Sequence, residues 1–153
     1  MPAAVAVARI LRPHSIPMTD DRVTIFIPLK HFHEGYLRQA VESVFSQTRA
    51  DWRLLLLVHR EHETLFRELL PSALADERVT LVAREGRNLA GAYNTAMRAA
   101  ETEFIAPLLG DDLLAPETVE VLGESIGTHP DADFFHAGRY FVDGERRRIS
   151  SDY

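Results

Sequence analysis

Five consecutive apolar residues, Leu54-Leu55-Leu56-Leu57-Val58, decide the reading of this chain. A strand with one wet face alternates apolar and polar residues, so an unbroken run marks either a strand covered on both faces or part of a buried helix. The run is too short to span a bilayer and follows the turn-like Arg49-Ala50-Asp51, which favours the strand. Upstream, the β-branched and aromatic Val23-Thr24-Ile25-Phe26-Ile27 stops at Pro28 in the same manner. Between the two runs, Tyr36, Leu37, Ala40, Val41, Val44 and Phe45 recur at helical spacing and predict an amphipathic helix over roughly 34–47.

The beat repeats downstream. Residues 62–74 read as helix, Val79-Thr80-Leu81-Val82 as strand, and Leu89, Ala92, Tyr93, Ala96, Met97 and Ala100 as the stripe of another helix. Phe104-Ile105-Ala106-Pro107-Leu108-Leu109 is the next strand, and Pro116-Glu117 opens a helix that closes near Gly127. Asp133-Phe134-Phe135-His136 and Arg139-Tyr140-Phe141-Val142 read as strand material, broken at Gly138 and ended by Asp143-Gly144. Strands separated by helices imply right-handed crossovers, hence an α/β fold with a mainly parallel sheet and helices on both faces, an α/β/α sandwich. The expected strands are 23–28, 53–58, 79–83 and 104–109.

With 153 residues the chain is one domain's worth of protein, given that domains cluster near roughly 100–150 residues. We read residues 1–20 as a loosely attached arm and 21–153 as the domain. A net charge of −6 argues against nucleic acid, which requires a clustered basic surface. The absence of cysteine removes disulfides, thiolate zinc sites and cysteine nucleophiles, and suits a reducing, cytoplasmic setting. Ala3 to Ala8 is too short to span a bilayer, lacks a basic leader region and runs into Arg9 and Arg12, so neither a transmembrane segment nor export is expected.

Ligands of such sheets bind beyond the carboxyl ends of the strands. The turn after the first strand, Pro28-Leu29-Lys30-His31-Phe32, lacks the glycines that let a backbone approach a dinucleotide pyrophosphate, and no P-loop or Gly-x-Ser-x-Gly is present. The strongest feature is Leu109-Gly110-Asp111-Asp112, an acidic pair between an apolar strand and a helix start. Adjacent carboxylates there suit a hard divalent cation, Mn²⁺ or Mg²⁺, completed by water and substrate phosphates. The alternative is a solvated turn in which Asp111 and Asp112 cap the following helix. A competing metal site is His31-x-His33 with His59-x-x-His62, for which the spacing places no further ligand. Lys30 and Arg60 are candidate phosphate contacts, Trp52 a packing anchor, and Arg146-Arg147-Arg148 a solvated tail or the start of a missing segment rather than a phosphate site.

In its order of elements, the stretch Val23 to Val142 resembles the nucleotide-sugar half of the family 2 glycosyltransferases, which have the GT-A fold. Val23 to Thr48 resembles that family's opening strand, proline turn and first helix, with Gln47-Thr48 where its helix ends. Asn88-Leu89-Ala90-Gly91-Ala92-Tyr93-Asn94 is similar to its asparagine-bearing loop and helix, Leu109-Gly110-Asp111-Asp112 to its Asp-x-Asp-Asp motif, and Asp131-Ala132-Asp133 to the entry into its next strand. The departures are Leu109 at the first acidic position, Val58-His59-Arg60-Glu61-His62 where an acidic pair is usual, Tyr93 at an arginine position, and Lys30-His31 after the proline.

The resemblance implies inverting transfer of a sugar from a nucleotide-diphosphate donor to a hydroxyl. It places Pro28, His59, Asn88, Asn94 and Asp111 at the donor and Asp111, supported by Asp112, at the metal, while assigning no catalytic base. It further implies a GT-A-like domain without the family's acceptor-binding part, so that the chain is either a piece of a longer parent or a domain that binds without catalysing; the partners left open are a homo-oligomer or a missing C-terminal region. The other open reading is a non-catalytic GT-A-like binding or assembly module that has lost donor binding.

Overall fold

The computed structural model describes residues 6–10, 23–30, 32–86 and 88–149. Its elements in order are β1 (Ala6–Arg9), β2 (Val23–Pro28), α1 (Glu34–Phe45), β3 (Trp52–Val58), a 3-10 turn (Arg60–His62), α2 (Glu63–Leu69), α3 (Pro71–Leu74), β4 (Val79–Ala83), α4 (Leu89–Ala99), β5 (Phe104–Pro107), α5 (Thr118–Thr128) and β6 (Phe134–His136). One six-stranded sheet runs β4-β3-β2-β5-β1-β6. β4, β3, β2 and β5 are parallel, with Ile25 opposite Leu54 and Ala106. β1 alone is reversed, antiparallel to both β5 and β6.

The side-chain period of two explains why β3 shows no alternation. Leu54, Leu56 and Val58 enter one core with Ile25 and Ile27, under α1, α2, α3 and α5, while Leu55 and Leu57 enter a second core with Phe26, Ala92 and Ala96 of α4. Both faces of the strand are dry, and the expected mainly parallel sandwich is the observed one. None of the described helices is long and apolar enough to cross a membrane.

Four expectations change. The helix expected over 62–74 is broken at Leu70, whose φ of −126° leaves the helical region. Proline lacks an N–H and disfavours helical backbone in the residue before it, and Pro71 instead opens α3. β5 closes at Pro107, short of residue 109; after Leu108 donates to the Phe26 carbonyl (2.9 Å) the chain turns. Residues 139–142 form no strand. Val142 makes an isolated bridge to Arg148, because the Asp143 carboxylate accepts the N–H groups of Glu145 and Arg147 (2.9 Å each) and folds the chain into a small hairpin.

The fourth change concerns the loosely attached arm: Ala6–Arg9 fills the strand-wide gap between β5 and β6, with Val7 1% exposed in the main core. Arg9 fastens it, its Nε 3.0 Å from Glu103 and its guanidinium 5.1 Å from the Phe104 ring centroid. The other residues of the expected arm, except Ile10, lie outside the described residues.

At the opposite, amino edge of the sheet, Trp52 is buried as the expected anchor, and the Arg78 guanidinium lies 3.9 Å from its ring centroid and 2.7 Å from Asp76. The hydrogen bonds from the Arg78 side chain and backbone hold the Asp76 carboxyl down at about 2. A depressed carboxyl stabilises the fold above its ordinary pKa of 3.8, and that contribution is lost as the pH falls toward 2. Asp76→Asn should therefore cost roughly 1–2 kcal/mol at neutral pH, with the deficit shrinking below about pH 4. Urea denaturation of both proteins across that range checks it; a deficit independent of pH contradicts it.

Candidate functional site

At the carboxyl end of β5, Leu108 is buried, Leu109 is 39% exposed, and the chain turns through Gly110 to the acidic pair. The Asp112 N–H closes the turn on the Leu109 carbonyl at 3.0 Å. Asp111 is exposed, whereas Asp112 is only 8% exposed and its Oδ1 is buried without a hydrogen-bond partner among the described residues. Burial pushes the Asp112 carboxyl up to about 6, and the neighbouring charge of Asp111 adds to the rise. A buried carboxylate oxygen without a partner is satisfied by a proton or by a cation, and with Asp111 beside it the pair offers oxygen ligands of the kind a hard divalent ion takes. Two carboxylates alone are too few ligands, and among the described residues no group of three His, Asp or Glu side chains converges to hold a metal. Substrate oxygens would have to complete the coordination.

The turn is held from below by the end of α1. Ser43 Oγ donates to the Ala40 carbonyl (2.7 Å) and accepts the Leu114 N–H (3.1 Å). Gln47 Nε2 donates to the carbonyls of Ser43 (3.0 Å) and Ala115 (2.7 Å), and its Oε1 accepts the Val119 N–H (2.9 Å) at the start of α5. Thr48 adds a backbone bond to the Pro116 carbonyl at 2.9 Å. This explains the Gln47-Thr48 pair: one side-chain amide serves a helix end, a loop carbonyl and an orphan helix-start N–H together.

The other expected residues follow the carboxyl edge in sheet order. Asn88 lies after β4, the half-buried His59 after β3, and Pro28 at the end of β2, next to β5 and Asp111. Asn88 caps α4 through Oδ1, which accepts the Gly91 N–H at 2.9 Å, and its carbonyl accepts from the buried Arg84. Asn94 is exposed on α4. Tyr93 packs edge-on against Phe26 with ring centroids 5.0 Å apart, which places its ring against the core beneath α4.

The histidine alternative is not assembled among the described residues. His59 and His62 have ring centroids 6.5 Å apart, His33 instead stacks on Tyr36 at 4.7 Å, and His31 lies outside the described residues.

Sequence reasoning missed a cavity of about 240 Å³ lined by Tyr36, Gln39, Asp111, Leu113, Val142, Asp143 and Gly144. The 142–148 hairpin forms its outer wall and is tied to α1 by Arg146, which donates to Gln39 Oε1 (3.2 Å) and pairs with Glu42. The three arginines are thus the return arm of a hairpin, with Arg147 bound to Asp143 at 2.8 Å and Arg148 over the Tyr140 ring. Asp143-Gly144 was visible in the sequence as a turn. What the turn faces depends on a fold-back that no local pattern records.

Comparison with known proteins adds an independent finding: a family model described as "Glycosyl transferase family 2" matches residues 24–153. The uncharacterized protein y4gI of Sinorhizobium fredii is 31% identical over 74% of this chain and 13% of its own length. The succinoglycan biosynthesis protein ExoW of Rhizobium meliloti is 31% identical over 76% of this chain and 37% of its own. The UDP-Glc:alpha-D-GlcNAc-diphosphoundecaprenol beta-1,3-glucosyltransferase WfgD of Escherichia coli is 33% identical over 68% of this chain and 40% of its own. The chain thus spans well under half the length of these curated relatives.

The staple under the acidic turn gives a test of its own. Gln47→Leu should destabilise the protein by about 1–3 kcal/mol, since it leaves a half-buried carbonyl and an N–H without partners. Chemical denaturation measures this, and a change within about 0.5 kcal/mol contradicts the assigned role.

Proposed function

The chain belongs to glycosyl transferase family 2, and on that premise we propose that it binds a nucleotide-diphosphate sugar along the carboxyl edge of its sheet. The reaction this binding serves is inverting transfer of the sugar to a hydroxyl acceptor. The observation that carries the reading is the acidic turn at the end of β5, where exposed Asp111 stands beside buried Asp112 with its unpartnered oxygen. Asp111 holds Mn²⁺ or Mg²⁺, and Asp112 supports the site from beneath. When bound, the ion supplies positive charge that stabilises the departing diphosphate. Pro28, His59, Asn88 and Asn94 shape the donor pocket, Asn88 by fixing the start of α4 and His59 from the end of β3.

A second reading, a binding or assembly module without donor affinity, is favoured by Leu109. An exposed leucine stands where the family motif begins with a carboxylate, so the site carries one negative charge fewer.

Calorimetric titration separates the two. UDP-glucose, the donor named for one relative, and GDP-mannose are titrated with and without Mn²⁺ into wild-type protein and Asp111→Asn. Metal and donor should bind cooperatively to the wild type. The variant keeps side-chain size and removes charge, so the ternary complex should weaken by about tenfold or more, with the thermal midpoint unchanged. Equal binding by both proteins removes Asp111 as the ligand, and no binding by either selects the module.

A further inference from the structure

We propose that the cavity between α1 and the 142–148 hairpin is the subsite for the sugar of the donor, selected by Tyr36, Gln39 and Asp143. This rests on the donor reading above and names where the transferred group sits.

The first argument is adjacency. Asn88, His59 and Pro28 stand at the ends of β4, β3 and β2, whereas the hairpin is tied to α1 and walls a cavity that Asp111 itself lines. A diphosphate held at Asp111 has two ends. With its nucleoside over β2 to β4, the cavity beside Asp111 is left for the sugar.

Chemistry gives the second argument. Asp143 stays ionised, its carboxyl lowered by hydrogen bonds from the backbone and side chain of Arg147. Oδ1 accepts the N–H groups of Glu145 and Arg147, and Oδ2 accepts Arg147 Nε. A carboxylate offers about four acceptor sites, so one remains on Oδ2. Gln39 spends Oε1 on Arg146 and has both amide donors unspent among the described residues, as does the Tyr36 hydroxyl. Unspent donors beside an unspent acceptor match the hydroxyl groups of a pyranose. The Tyr36 ring, Leu113 and Val142 supply apolar surface for its C–H face.

Size gives the third. At about 240 Å³ the cavity lies under the roughly 300–1,000 Å³ typical of drug-sized ligands and suits one monosaccharide. Because Arg146 fixes the hairpin to α1, the wall stands before the ligand arrives.

Gly144→Val tests this by filling the space. Its backbone is outside the left-handed region, and an added Cβ would meet the Tyr36 hydroxyl at an ordinary 3.7 Å, so the hairpin should survive. Gln39→Glu removes the amide donors and keeps the oxygen that accepts from Arg146. Wild type and both variants are titrated, in Mn²⁺, with UDP-glucose against UDP and with GDP-mannose against GDP. Each variant should lose about tenfold in affinity for the nucleotide sugar that the wild type binds and stay within about twofold for its free diphosphate, at an unchanged thermal midpoint. A ratio of sugar-nucleotide to free-diphosphate affinity that stays at the wild-type value overturns the subsite alone. Equal losses for both ligands overturn it as well, and a wild type that binds neither ligand overturns the donor reading together with it.

Discussion

From Leu54 to Val58 water reaches β3 from neither face, and everything at the carboxyl edge depends on that. Its leucines alternate between two cores, so the strand holds α1, α2, α3 and α5 on one side and α4 on the other. A buried leucine contributes several kcal/mol, with truncation typically costing about 2–5, whereas an exposed ion pair contributes about 0–1. The visible pairs, such as Arg38 with Glu34 at 2.9 Å on α1, therefore decorate a frame that the leucines set. Positions along the carboxyl edge inherit that precision: Pro28 lies opposite Leu57 in the ladder, and Leu108 bonds the Phe26 carbonyl just before the acidic turn.

The acidic turn runs against this economy. Burying Asp112 beside Asp111 raises its carboxyl from 3.8 to about 6, a penalty on the charged form on the order of 2–3 kcal/mol. No local propensity favours such a turn, and it persists because its surroundings overdetermine it. Ser43, Gln47 and Thr48 fasten the segment from Leu114 to Val119 to the end of α1, which the core holds through Leu37, Ala40, Val41 and Val44. Stability drawn from the leucines thus holds a costly buried carboxylate in place, the pattern expected of a functional site.

Legibility in the sequence followed the range of the interactions. β2 and β4 appear at the residues their apolar runs mark, Val23–Pro28 and Val79–Ala83, because strand burial is written locally in side-chain type. The acidic pair was equally plain, since a turn after an apolar strand needs only neighbours to be recognised. Ala6–Arg9 was not, because so short a strand is stabilised by the gap between β5 and β6, which exists once the sheet is built. The break at Leu70 did have a local signal in Pro71, which the helical stripe across 62–74 obscured. The cavity was the least legible, for it joins Tyr36 of α1 to Gly144, residues more than a hundred positions apart.

Leu109 and the hairpin bear on each other. Replacing the first carboxylate of the motif with leucine lowers the negative charge at the turn, which weakens any hold on a bare cation and eases the repulsion that an incoming diphosphate meets. Affinity at such a turn is then carried by what the rest of the donor touches, on both sides of the phosphates. In the reading proposed above, Asn88 and His59 serve the nucleoside side, while Asp143 adds a fixed carboxylate to the wall of the cavity that Asp111 lines. On that proposal the site would recognise the metal, the diphosphate and the sugar as one object, since no single part would meet enough fixed groups to be held alone.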